Sequence, residues 1–124
     1  MYEMLTIVGN LGRDPEMRYT PSGKAVTNFS VAVNTRWTNG DGTNAERVTW
    51  YKVACWGKLA EVTNEYLAKG RKVLVVASRI EAEAYIDKEG ELRAALRVTA
   101  DAVKFLDGKG EEAAEVEEKE EIPF

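Results

Sequence analysis

The chain contains no histidine. That removes imidazole-based acid–base catalysis, Ser-His and Cys-His nucleophile pairs, and the common zinc sites. Cysteine occurs once, at Cys55, so no intrachain disulfide can form and a reducing compartment is the natural reading. There is no apolar run long enough to span a bilayer, and Met1-Tyr2-Glu3-Met4 opens without a basic segment leading into an apolar one. A soluble, cytoplasmic protein with no membrane partner is therefore expected. Walker and GxGxxG patterns are missing, as are carboxylates clustered in metal-ligand order. No metal, cofactor or catalytic residue is expected; Asp14 and Glu16 read as turn and surface residues.

Charge is unevenly spread. The formal net charge is −4, an unfavourable sum for a nucleic-acid binder. Residues 1–107 hold 15 Lys and Arg against 14 Asp and Glu, a net of +1. Residues 108–124 hold 2 Lys and 7 Glu, a net of −5. Two parts follow: a nearly neutral domain, 1–107, and an acidic tail, 108–124, expected to be disordered. A neutral domain still presents a basic face when its acids lie elsewhere.

Most of the domain reads as strand. Leu5, Ile7 and Val8 open a first strand, closed by Gly12-Arg13-Asp14-Pro15, and Thr20-Pro21-Ser22-Gly23 is a second turn. Residues 25–37 alternate, with Phe29, Val31 and Val33 on one side and Asn28, Ser30, Ala32 and Asn34 on the other. Asn39-Gly40-Asp41-Gly42 then separates them from a strand over residues 47–56. Leu59, Val62, Tyr66 and Leu67 recur at helical spacing, predicting a helix over 58–69 with Gly70 as its left-handed cap. Residues 71–85 and 92–106 return to strand around Asp87-Lys88-Glu89-Gly90. Five strands with one helix between the third and fourth make an all-β protein of OB-fold type, a partly open Greek-key barrel. A mixed α+β sandwich is the alternative that pattern leaves open.

The stretch Trp50-Tyr51-Lys52-Val53-Ala54-Cys55-Trp56 carries the chemistry. Alternation sends Trp50, Lys52, Ala54 and Trp56 to one face and Tyr51, Val53 and Cys55 inward. Cys55 is then a core residue rather than a reactive thiol. The two indoles stand roughly 20 Å apart with a cation between them. Aromatic rings stack on any base and lysine offsets phosphate charge, so this face suits a flexible single strand. Burial in a core or subunit contact is the competing reading for either Trp alone. Trp37 beside Arg36, and Tyr85 beside a turn, sit where they extend such a platform. Lys24, Arg36, Lys52, Lys58, Lys69, Arg71, Lys72 and Arg79 are candidate phosphate contacts. Glu81 and Glu83 oppose a polyanion and are expected to face away; otherwise that edge grips weakly.

The tail closes on Glu120-Glu121-Ile122-Pro123-Phe124. A solubilising segment has no need of a terminal Phe. These residues read as a docking peptide: Phe124 for an apolar pocket, its carboxylate for a basic clamp, and the glutamates for surrounding Lys or Arg.

The run from Ile7-Val8-Gly9-Asn10-Leu11-Gly12-Arg13-Asp14-Pro15 to Tyr19 resembles the opening of bacterial-type single-stranded DNA-binding proteins. So do Trp56-Gly57-Lys58-Leu59-Ala60-Glu61, Glu65-Tyr66-Leu67-Ala68-Lys69-Gly70 and the closing Ile122-Pro123-Phe124. The resemblance implies an OB-fold homo-oligomer, most often a tetramer, that protects single-stranded DNA in a nucleoid-associated role. It implies stacking at Trp37, Trp50, Trp56 and Tyr85 and basic contacts at Lys52, Lys58 and Lys69. It also implies recruitment of replication, recombination and repair proteins through the tip. The linker is shorter than in many members, which shortens tip reach. The fourth strand is acidic where the family is often basic, and Tyr51 stands where histidine is frequent at the subunit contact. An adaptor without DNA affinity and an RNA-binding module are the alternative functions.

Overall fold

A computed structural model describes residues 1–106. The acidic tail, with its docking residues Glu120, Glu121, Ile122, Pro123 and Phe124, lies outside the described residues. In chain order the elements are β1 (Leu5–Leu11), β2 (Glu16–Tyr19), β3 (Ala25–Thr38), β4 (Asn44–Trp56), α1 (Lys58–Tyr66), β5 (Lys72–Ile86) and β6 (Leu92–Phe105).

Five of the strands close on themselves. The sheet runs β1-β5-β6-β4-β3, and β1 pairs back onto β3. β1 does this by changing neighbour along its length. Leu5 to Asn10 pair with β5, whereas Asn10 and Leu11 pair with Ala32 and Val31 of β3. Gly9 makes the crossing possible: a Cβ there would stand 2.2 Å from the Ala32 carbonyl oxygen and 2.8 Å from Val31 Cγ1. Bare backbone is what lets the two strands approach. Closure leaves the barrel strands without an open edge.

Alternation then sorts side chains. Phe29, Val31, Val53, Cys55, Val73, Val75, Val98 and Val103 are all buried in one core cluster. Each valine sealed this way contributes about 1.5–3 kcal/mol relative to leaving it in water. Tyr51 is half-buried and packs against the same cluster. Helix α1 presents Leu59, Ala60, Val62 and Thr63 to the core. It is tied to the barrel by the Thr27 hydroxyl, which donates to the Ala60 carbonyl at 2.6 Å. Tyr66 meets Phe105 with ring centroids 6.1 Å apart.

Three details depart from the sequence reading. Residues 16–19, assigned no strand there, form β2 against β3 with Glu16 opposite Asn28 and Tyr19 opposite Ala25. This short charged segment has strand geometry only because β3 offers it a partner. The helix ends at Tyr66 rather than Lys69, and Gly70 is not its cap. Leu67 turns out of the helical path with φ −92° and ψ 156° and becomes buried, its N–H donating to the Thr63 carbonyl. Core burial thus stops the helix before its local periodicity does. Gly70 (φ 87°) sits in the next turn, donating to the Leu11 carbonyl at 2.9 Å. The third departure concerns Glu81 and Glu83 and belongs to the outer face.

That face is shaped by two arms. β4 pairs with β6 only over Tyr51 to Ala54, while its pairing with β3 continues to Thr38 opposite Asn44. β5 and β6 likewise stay paired to Ile86 opposite Leu92. Because β4 and β6 run parallel, both hairpins leave the barrel from the same end.

Candidate nucleic-acid interface

Residues directly opposite in a sheet share a face. Register therefore assembles the outer surface row by row. Ser30 lies opposite Lys52, Lys52 opposite Arg97, and Arg97 opposite Glu81, so one row crosses four strands. The next row toward the arms holds Ala32 opposite Trp50 on β3 and β4, and Ala95 opposite Glu83 on β6 and β5. Farther out, Tyr85 faces Arg93. In the other direction Arg79 faces Thr99, Thr99 faces Ala54, and Trp56 stands opposite Val26, itself opposite Arg18.

The aromatic residues on these rows are open, as is Trp37 out on the β3–β4 arm. Trp50 is 51% exposed, Trp56 44%, Trp37 44% and Tyr85 39%. On β4 the inward Val53 and Cys55 are sealed, so one strand separates structure from recognition by parity alone. Trp50, Lys52, Tyr85, Arg13 and Arg93 line a single open concavity of about 780 Å³ between the arms. A second depression, about 430 Å³, continues past Lys52 to Arg13, Arg18, Arg97, Glu16 and Glu81.

Two contacts hold the platform in place. A Cβ on Gly12 would stand 2.6 and 2.7 Å from Trp50 Cζ3 and Cη2. Gly12 has no positive φ, so the backbone does not demand glycine there; the indole does. Lys52 Nζ stands over the Tyr85 ring, 5.1 Å from its centroid, a cation–π contact. At the turn of the β5–β6 arm, Asp87 accepts from Arg93 Nε and from the Glu89 and Glu91 amides, each at 2.9 Å. The Arg93 hydrogen bond, followed by the amide of Glu91, holds the Asp87 carboxyl below the usual carboxylate range. At the other arm's tip the Thr43 hydroxyl and amide do the same for Asp41.

The remaining sequence candidates are dispersed. Trp37 lies at the tip of the β3–β4 arm with opposite parity to Arg36 and Trp50. Its ring carries Arg47 at 5.9 Å, and its Nε1–H donates to Asn39 Oδ1 at 3.1 Å. Arg36 stands 3.9 Å from Glu46. Trp37 and Arg36 share a separate depression at that tip. Lys24 follows the β2–β3 turn, Arg79 flanks the β5 register shift, Lys58 opens α1 and Lys69 follows it. Lys69 is placed by its N–H, which donates to Asp14 Oδ1 at 2.8 Å; this joins its turn to the one that carries Arg13.

Sequence reasoning passed over Gly12, Arg13, Arg93 and Arg97 as functional residues. Arg93 and Arg97 alternate visibly on β6, but only the β5–β6 and β4–β6 registers place them beside Tyr85 and Lys52. Glu81 and Glu83 do not face away. They share the Tyr85 face of β5, and Glu83 Oε2 lies 3.0 Å from Arg97 Nε. The register shifts between Val76 and Arg79 set that parity, and periodicity alone does not report a bulge. Among the described residues no group of His, Cys, Asp and Glu has the arrangement to hold a metal ion. None of their helices is long and apolar enough to cross a membrane.

A closed five-stranded barrel with one helix and an open aromatic, cationic face defines the class: an OB-fold binding protein. The Single-strand binding protein family model matches residues 2–106, and the chain belongs to that family. It is similar to a single-stranded DNA-binding protein of Wolinella succinogenes, 40% identical over 110 residues, covering 89% of this chain and 67% of the relative. A single-stranded DNA-binding protein of Neisseria meningitidis serogroup A is 42% identical over 105 residues, covering 85% of this chain and 60% of the relative. The matched regions thus span about two thirds or less of these relatives' length.

Among solved structures, a deletion mutant of the single-stranded DNA binding protein from Thermus aquaticus superposes with TM-score 0.69 at 29% identity. That match covers 89% of this chain and 52% of the other. A Plasmodium falciparum SSB in complex with ssDNA superposes with TM-score 0.70 at 20% identity, covering 84% and 94%. The second likeness concerns the fold alone.

Proposed function

We propose that this chain binds and protects single-stranded DNA without sequence preference and without catalysing a reaction. The observation that carries the reading is the outward face of β4, with Trp50 and Trp56 exposed on either side of Lys52. Bases stack on the indoles and on Tyr85, while Lys52, Arg13 and Arg93 meet phosphates. Trp37 and Arg36 extend the path along the β3–β4 arm, and Lys24, Lys58, Lys69 and Arg79 are outlying contacts. Family membership supports the reading, as do relatives named for single-stranded DNA binding.

Finer parts of the proposal follow from the resemblance. Residues 1–107 form the binding domain, and residues 108–124 carry a tip, Glu120 to Phe124, that recruits replication, recombination and repair proteins. The chain assembles as a homo-oligomer, most simply a tetramer, and works in the cytoplasm on the nucleoid.

Titration of the full chain with oligo-dT, read by tryptophan fluorescence, tests the function. Quenching at low salt is expected, with the logarithm of affinity falling by about 0.7 per logarithm of salt for each phosphate contact. Unchanged fluorescence at low salt with micromolar protein sinks the reading. The carboxylates on the binding face favour a second reading, a protein-only adaptor. Deleting the tip separates the two: a strand binder keeps or increases its affinity, and an adaptor loses its activity. Equal-length RNA as competitor decides between ribose and deoxyribose.

A further inference from the structure

The binding face has a feature that a simple cationic groove lacks: two of its arginines, Arg93 and Arg97, already have anionic partners. Arg97 Nε lies 3.0 Å from Glu83 Oε2. Arg93 stands 2.9 Å from Asp87 and 3.4 Å from Glu91. Lys52, by contrast, rests on the Tyr85 ring. The Arg97 pair differs from the Arg93 pair in position. Asp87 and Glu91 flank the β5–β6 turn at the end of an arm, whereas Arg97 is opposite Lys52 in the row that crosses the middle of the face. Glu81 is opposite Arg97 in that row and lines the depression with Lys52 and Arg13.

We propose that Glu83, seconded by Glu81, is an internal competitor for the DNA backbone: it holds Arg97 in an ion pair that a bound strand must exchange for a phosphate. The proposal rests on the strand-binding reading above and adds a control on it. The physics is that of ion exchange. A free arginine that meets a phosphate lets the strand release a condensed cation, and that release drives binding at low salt. When the arginine arrives paired, the carboxylate competes with the phosphate for it, and while the pair holds no condensed cation is released at that contact. The β5 edge gains nothing from Arg97 while Glu83 is charged, although Arg97 lies directly opposite Lys52 on the face. Both partners are partly exposed, at 53% and 42%, so the pair is weak enough to open. The outcome is a face that grips at β4 and releases readily at β5.

The test is a salt series of oligo-dT titrations with full-length protein, comparing wild type, Glu83→Gln, Arg97→Gln and the double variant. Gln keeps the shape of Glu and removes its charge. Glu83→Gln is expected to steepen the salt slope by about 0.7 and to raise affinity about 5- to 10-fold near 50 mM salt, the gain fading toward molar salt. Glu83→Ala should give the same gain, which excludes an effect of the new amide. In the Arg97→Gln background the gain should disappear, because coupling between the two residues is the content of the proposal. A Glu83→Gln slope and affinity equal to wild type overturns it, as does a gain that persists without Arg97. In either case quenching of the wild-type protein leaves the function standing. Failure of wild type and variants alike to bind overturns both.

Discussion

The two long strands that flank β6 offer opposite surfaces to solvent. β4 turns outward Trp50, Lys52 and Trp56, with no carboxylate from Trp50 to Trp56. β5 turns outward Arg79, Glu81, Glu83 and Tyr85 on the same side of the barrel. β4 buries residues that alternate with its outward ones, Val53 and Cys55. On β5 the buried Val73 and Val75 precede the register shifts, and beyond them Ile80 is half-buried and Ile86 is 69% exposed. The strands thus differ in core support as well as in their outward faces, where one is built to hold an anion and the other to limit the hold.

The sharpest way to break this contrast is at Trp50. Trp50→Ala is expected to weaken oligo-dT binding by about 1–3 kcal/mol for the stacked base, roughly 5- to 150-fold. The fold should be kept, since the ring lies outside the core; thermal unfolding and titration together check both. A loss in affinity no larger than that of an exposed residue elsewhere would equalise the two strands.

Lys52→Ala should act next most strongly. It removes one phosphate partner, lowering the salt slope by about 0.7 and affinity about 5- to 10-fold near 50 mM salt. It also uncovers the Tyr85 ring, so tyrosine reactivity toward a phenol-directed reagent should rise in the free protein.

Gly12→Ala sharpens the comparison by disturbing the platform without touching its chemistry. The Trp50 ring must shift from its present position, and holding it off-rotamer to stack a base costs about 0.5–1.5 kcal/mol, or roughly 2- to 13-fold in affinity. The free protein's tryptophan emission should shift, whereas the unfolding midpoint should move little.

The smallest effect lies at the β5–β6 turn. The Asp87 carboxyl titrates below its ordinary value of about 4 because Arg93 and two amides favour its charged form. A carboxyl depressed in the folded state adds stability that is present above its unfolded value. That stability is lost as pH falls through the lower folded value. The arm should therefore loosen only below about pH 4, and Asp87→Asn should loosen it at neutral pH. Amide exchange at Glu89 and Glu91 reports both.

What was legible in the sequence followed from parity and period. Alternation sent Cys55 inward and Trp50 outward, and the order of strands and helix implied the barrel. Three features lay beyond it because each depends on residues far apart in the chain. The end of α1 is decided by where the core needs Leu67. The strand over residues 16–19 exists because β3 is there to pair with it. The Arg97–Glu83 pair requires the register across β5 and β6, including shifts between Val76 and Arg79. Gly12 was visible as a turn residue; that it makes room for an indole needed coordinates.

The central claim is that bases stack on the outward face of β4. The chain has three tryptophans, so each contributes one indole N–H signal to a nitrogen–proton correlation spectrum. Once those signals are assigned by single Trp→Phe replacements, adding oligo-dT should move the Trp50 and Trp56 signals at low salt and restore them at high salt. If both stay in place while the strand is demonstrably bound, the stacking face lies elsewhere and the account is wrong.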